Sequence, residues 1–79
     1  MVDGFVRGRA FNTALLASVL IETDLDEAGV FGLEAVNLTR GIQSGRSLEY
    51  IRDLERRLQG RGSDPAIRAF REGAAELLR

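Results

Sequence analysis

The apolar and polar positions fall into four segments separated by glycine, proline and capping residues. The most apolar stretch is Ala14–Ile21, Ala-Leu-Leu-Ala-Ser-Val-Leu-Ile, broken only by Ser18. It sits in a proline-free run of good helix formers that predicts a first helix over about 5–22. At about 100° per residue its apolar side chains point almost all the way round, and a helix apolar on every side is buried on every side. It is far too short to cross a bilayer, which takes ~20 such residues. The expectation is a central core helix covered by the others. Asp3 is a candidate N-cap for it, and Gly8 weakens its first turns by ~1 kcal/mol relative to alanine.

Thr23-Asp24 reads as a stop followed by a restart. Asp26 and Glu27 then fall in the first turn of the next helix, where the helix dipole favours acids. A second helix over about 25–40 carries two apolar stripes. One is Ala28, Phe31, Ala35, Leu38 and Ile42, and the other is Val30, Leu33 and Val36, so two packing partners are expected. Gly29 and Gly32 cost helix propensity but let a neighbouring helix come close. Gly41 and Gly45 break the chain around Gln43-Ser44. A third helix over about 47–59, capped by Ser47, shows one narrow apolar face of Leu48, Ile51, Leu54 and Leu58, with Asp53 and Arg57 paired at i,i+4 on its polar side. After the loop Gly60-Arg61-Gly62-Ser63, Asp64-Pro65 is a capping residue followed by proline at the first helical position. It starts a fourth helix over about 65–78 with Ile67, Phe70, Ala74, Leu77 and Leu78 inward. No stretch alternates with period two for long enough to be a strand. The reading is one all-α domain over 1–79, four helices forming two antiparallel hairpins.

Composition narrows the function classes. The 79 residues include 11 basic and 12 acidic side chains, every basic one is arginine, and there is no cysteine or histidine. Codon bias in a GC-rich genome is the simplest source of the missing lysine. Disulfides are excluded, a zinc site is not expected, and no cofactor is expected. A chain this short is marginally stable alone, which leaves association as the available reinforcement. The near-zero net charge argues against nucleic acid as the main ligand. No targeting signal or membrane span is visible, which predicts the cytoplasm and no membrane partner.

The turn Thr23-Asp24-Leu25-Asp26-Glu27-Ala28 resembles the junction between the two helices of a tetratricopeptide repeat, usually Gly-Asp-aromatic/Leu-x-x-Ala. Leu25 matches the apolar residue that staples the turn, Ala28 the small residue at the helix crossing, and Ala35 the second small position of the second helix. Thr23 stands where glycine is usual, Gly32 replaces a usual aromatic, and no proline follows Thr39. The whole chain resembles the C-terminal end of the helical repeat region of actinobacterial helix-turn-helix regulators, through the arginine-rich segment Arg46–Leu58 and the closing segment Asp64–Leu78. The resemblance implies a repeat-like bacterial interaction module whose DNA-binding part lies outside this chain.

Candidate chemistry is sparse. General acid–base work needs a pocket that shifts a carboxyl pKa, and Glu22 is the one acid beside the first helix to consider. Ser18 has no evident base and is expected to bond back to the carbonyl one turn earlier. Catalysis is not expected. The resemblance places the first helix of each pair on a concave face. Arg7, Arg9 and Asn12, with Arg52 and Arg56, are then candidates to hold a peptide or protein partner through bidentate bonds. The alternative is a DNA-binding or regulator domain acting through the helix 47–59, whose arginines are interleaved with Glu49, Asp53 and Glu55. A homodimer is expected, with Val30, Leu33 and Val36 as the self-association stripe, because two helical pairs are fewer than a repeat array usually needs.

Overall fold

The computed structural model describes the backbone of residues 2–42, 45–61 and 64–79, and the side chains from Phe5 onward within those spans. It has four helices, α1 (Val2–Leu20), α2 (Leu25–Arg40), α3 (Gly45–Leu58) and α4 (Pro65–Leu77), and no strand among the described residues. The all-α expectation is met. The links expected at Gln43-Ser44 and Gly62-Ser63 lie outside the described residues.

The helix boundaries follow local chemistry. α1 reaches back to Val2, so Asp3 lies inside the helix rather than capping it. It closes when the amides of Thr23 and Asp24 both turn back to the Leu20 carbonyl, at 3.0 and 2.7 Å. Asp24 then caps α2 from an extended backbone, its carboxylate accepting the Glu27 amide at 3.2 Å and its carbonyl the Ala28 amide at 2.9 Å. α3 begins at Gly45, two residues before the expected cap, so Ser47 is a buried residue of its first turns. Beyond α3, Gly60 adopts φ +73°, a left-handed turn that glycine makes without strain. Asp64 and Pro65 open α4 as expected, the Asp64 carboxylate accepting the Ala66 amide at 2.8 Å.

The organising helix is α2. Its contacts with α1 and with α4 are the most extensive in the structure, whereas α1 and α4 do not meet among the described residues. Its two glycines make this possible. A methyl group on Gly29 would lie 2.7 Å from the Ala66 carbonyl carbon and 2.8 Å from the Ile67 nitrogen. One on Gly32 would lie 2.8 Å from the Phe70 ring. α4 therefore docks backbone to backbone on α2, as the paired glycines predict. The contacts advance together along the two helices, from Gly29 with Ala66 through Gly32 with Phe70 to Arg40 with Glu76 at 3.0 Å, so α4 runs in the same direction as α2. α3 likewise follows α1. Phe11 meets Tyr50 edge-on at 5.0 Å, and further along the Arg57 guanidinium donates to Ser18 Oγ at 2.9 Å.

The core is Ile51, Leu54 and Leu58 of α3, Ile67, Phe70 and Ala74 of α4, Ala28, Ala35 and Val36 of α2, Ala14 and Ala17 of α1, and Ile21 in the turn just after it. The surface area, 4886 Å², is close to the roughly 4,700 Å² expected of a compact monomer of this mass.

The expectation that α1 is buried on all sides is not met. Ala10, Thr13, Ala14, Ala17 and Ile21 form its buried stripe, while Phe5, Leu15, Leu16 and Val19 are exposed, from 42% at Leu15 to 68% at Phe5. Among the described residues only α2 and α3 cover α1, and two neighbours enclose about half of a helix.

Candidate interaction surface

α1 has two faces sorted by side-chain size. At 3.6 residues per turn, Ala10, Thr13, Ala14, Ala17 and Ile21 share one side, and Phe5, Gly8, Asn12, Leu15, Leu16 and Val19 share the opposite one. Alanines at the inner positions let α2 and α3 approach closely. The larger apolar side chains are thereby left outside. A contiguous exposed apolar patch of this kind marks an interaction surface more often than isolated surface leucines do. Beside it is an open depression of about 460 Å³ lined by Phe5, Gly8, Arg9, Asn12, Thr13 and Leu16. Arg9 is steered along its edge by Glu34 of α2, 3.6 Å away. Both side chains are largely exposed, so the pair contributes at most ~1 kcal/mol and leaves the guanidinium available to other acceptors.

The five polar candidates do not form one site. Arg9 and Asn12 share the depression just described. Arg7 lies on the α3 flank, where it borders a second hollow of about 290 Å³ with Gly8, Phe11, Arg46 and Ser47. There the Arg46 guanidinium sits 5.6 Å from the centre of the Phe11 ring, a cation–π distance. Arg52 and Arg56 lie on α3 among Glu49, Asp53 and Glu55. Arg56 is hydrogen-bonded to Asp53, and Arg57 lies 3.8 Å from the same carboxylate, the expected i,i+4 pair. Glu55 is drawn to Arg71 of α4 at 3.4 Å and accepts from Gln59 at 3.2 Å.

The expected self-association stripe is divided by α4. Val36 is fully buried, and Leu33 is partly buried and approaches Gly73 of α4. Val30 is exposed on the outer side of α2.

Ser18 is half-buried, and its oxygen accepts from Arg57 rather than serving only its own helix. This bond ties α3 to α1. Glu22 is exposed. The Asp26 carboxyl is held above its ordinary 3.8 chiefly by a hydrogen bond to the Asp64 carboxyl and by the charge of that group, with Asp24 and Glu27 adding to it. The first turn of α2 and the cap of α4 thus bring acids together. Among the described residues no cluster of acids has the arrangement of a metal site, and no helix is long and apolar enough to cross a membrane.

Spacing carried more of this surface than composition did. Alanine at 10, 14 and 17 against Phe5, Leu15, Leu16 and Val19 is a size segregation visible in the sequence, and it separates the two faces where hydrophobicity alone does not. The Asp26–Asp64 and Arg57–Ser18 contacts join distant segments and have no local signal. No family model, no curated protein and no solved structure matches this chain.

Proposed function

We propose that this chain is a non-catalytic protein-interaction module whose contact surface is the outward face of α1. The observation that carries the reading is the inverted sorting of α1, with its alanines inside and Phe5, Leu15, Leu16 and Val19 outside. A closed monomeric core has no use for that arrangement, because burying a leucine or phenylalanine side chain yields ~1.5–3 kcal/mol that leaving it in water forgoes. Arg9 at the rim and Asn12 within the face supply polar donors for a peptide or protein partner.

A repeat-like build of tetratricopeptide type accompanies this proposal. It is supported by the shared directions of α1 with α3 and of α2 with α4, and by full burial of Ala28 and Ala35 at the positions where the resemblance asks for small residues. Where the repeat usually has an aromatic, Gly32 instead receives the ring of Phe70. A bacterial regulator and the cytoplasm remain the context that the resemblance suggests. DNA recognition through α3 is disfavoured, since Arg56 and Arg57 are engaged by Asp53.

The test is a triple variant, Leu15→Gln, Leu16→Gln and Val19→Gln. A partner surface is dispensable to the fold, so the variant is expected to keep its helical circular dichroism and to unfold in one cooperative transition. A variant that loses cooperative unfolding would show that this face belongs to the core of the domain, and the reading would fail.

A further inference from the structure

Resting on that reading, we propose that the partner on the outward face of α1 is a second copy of this chain, with the two α1 helices side by side and pointing the same way. The spacing along the face leads to this geometry. Phe5, Gly8, Asn12, Leu15 and Val19 recur at intervals of three and four, which is the a/d seam of a two-stranded coiled coil. Ala10 and Ala17 then fall at the position farthest from the seam, and both are completely buried against the rest of the domain. The seam therefore faces directly away from the body. Its five positions are exposed, so neither α2 nor α3 obstructs it, and α4 does not reach α1 among the described residues. α1 is 19 residues long, about 28 Å of helix, which gives the pair its full two heptads.

Two residues that the monomer does not explain acquire a role. Gly8 lies in the middle of a turn of α1 and costs that helix ~1 kcal/mol relative to alanine. A methyl group there would meet nothing within 4 Å among the described residues, so no described contact requires glycine. In the paired helices Gly8 faces Gly8 of the second copy and leaves room beside the Phe5 rings. Asn12 is an exposed polar residue in the middle of an apolar seam. In the same-direction pairing it meets its own counterpart across the two-fold axis, and each amide can donate to the other's carbonyl oxygen. In the opposite direction it faces Leu15 and loses that partner. A single asparagine at such a position specifies two strands and one register at some cost in stability. A peptide of unrelated sequence would gain nothing from that symmetry, and a second copy gains all of it.

The absence of cysteine in the chain makes the geometry directly testable. Size-exclusion chromatography with light scattering at micromolar concentration is expected to give twice the 8.7 kDa chain mass, and Val19→Glu is expected to halve it while circular dichroism shows a folded chain. Leu15→Cys, oxidised without denaturant, is expected to form a covalent dimer, because residues at this position meet their own counterparts in the same-direction pair. A native chain that runs as a folded monomer overturns self-pairing. A dimer unchanged by Val19→Glu places the interface elsewhere and overturns it too, and a dimer that Leu15→Cys does not cross-link overturns the same-direction register. The outward-face reading stands or falls separately, on whether the glutamine triple variant folds.

Discussion

Replacing Gly29 by alanine tests how α4 is held. The added carbon would lie 2.7 Å from the Ala66 carbonyl carbon and 2.8 Å from both the Ala66 oxygen and the Ile67 nitrogen. All three are backbone atoms in the first turn of α4 and cannot swing aside. The whole turn must retreat by more than half an ångström to restore normal contact. A gap of that size forfeits a quarter to a half of each dispersion contact behind it, and Ile67 and Phe70, both essentially without solvent exposure, lie on the face that moves. Overpacking costs ~1–3 kcal/mol, and an obstacle made of backbone that cannot swing aside puts this case in the upper part of that range, ~2–3 kcal/mol. Alanine returns ~1 kcal/mol of helix propensity, so the net loss is about 1–2 kcal/mol. For a domain of this size that corresponds to a fall in Tm of roughly 5–15 °C. Gly32→Ala should cost less, because its obstacle is the Phe70 side chain at 2.8 Å rather than a backbone. Gly41→Ala is the control, with φ at −92° and nothing within 4 Å among the described residues. Thermal melts of the three variants should rank them in that order. If Gly29→Ala melts at or above the wild-type temperature, α4 does not dock backbone to backbone on α2.

Two further perturbations probe single groups. Asp26 binds its proton more tightly in the folded chain than in the unfolded one, so its contribution to stability is present in acid and lost as pH rises through and above its ordinary 3.8. Asp26→Asn should therefore gain on the wild type as pH climbs from the acid side to neutrality. Melts at both ends of that range check it, and parallel pH profiles for the two proteins would refute the pairing with Asp64. Thr39 is buried with no hydrogen-bond partner for its hydroxyl among the described residues. Thr39→Val removes that group with little change of shape and should stabilise by ~1 kcal/mol in chemical denaturation, whereas a loss of stability would reveal a bond that the hydroxyl does make.

Most of the secondary structure was legible because the punctuation is strong. Asp24 and Asp64 each cap a helix through their carboxylates, and Pro65 opens α4. Ser47 misled because a serine ahead of an apolar run is as compatible with a buried first turn as with a cap. The close docking of α4 was readable from Gly29 and Gly32, although which helix came close was not. The error over α1 had a physical origin. Hydrophobicity treats alanine and leucine alike, but only small residues allow the close approach of α2 and α3, so the alanines won the inside and the large side chains were left in water. The polar candidates scattered for a similar reason. Arg7 and Arg9 are two residues apart, so they point to different flanks of one helix, while Arg52 and Arg56 are satisfied or surrounded by acids of their own helix.

The central claim is that the outward face of α1 is where this chain meets another copy of itself. A methyl-labelled sample followed by NMR over a dilution series tests it residue by residue. The account predicts that the methyl signals of Leu15, Leu16 and Val19 move with concentration along a single two-state curve, while those of Ile51, Leu54 and Ile67 in the core stay fixed. Concentration-independent signals at Leu15, Leu16 and Val19, or shifts confined to Val30 and the outer side of α2, would contradict it.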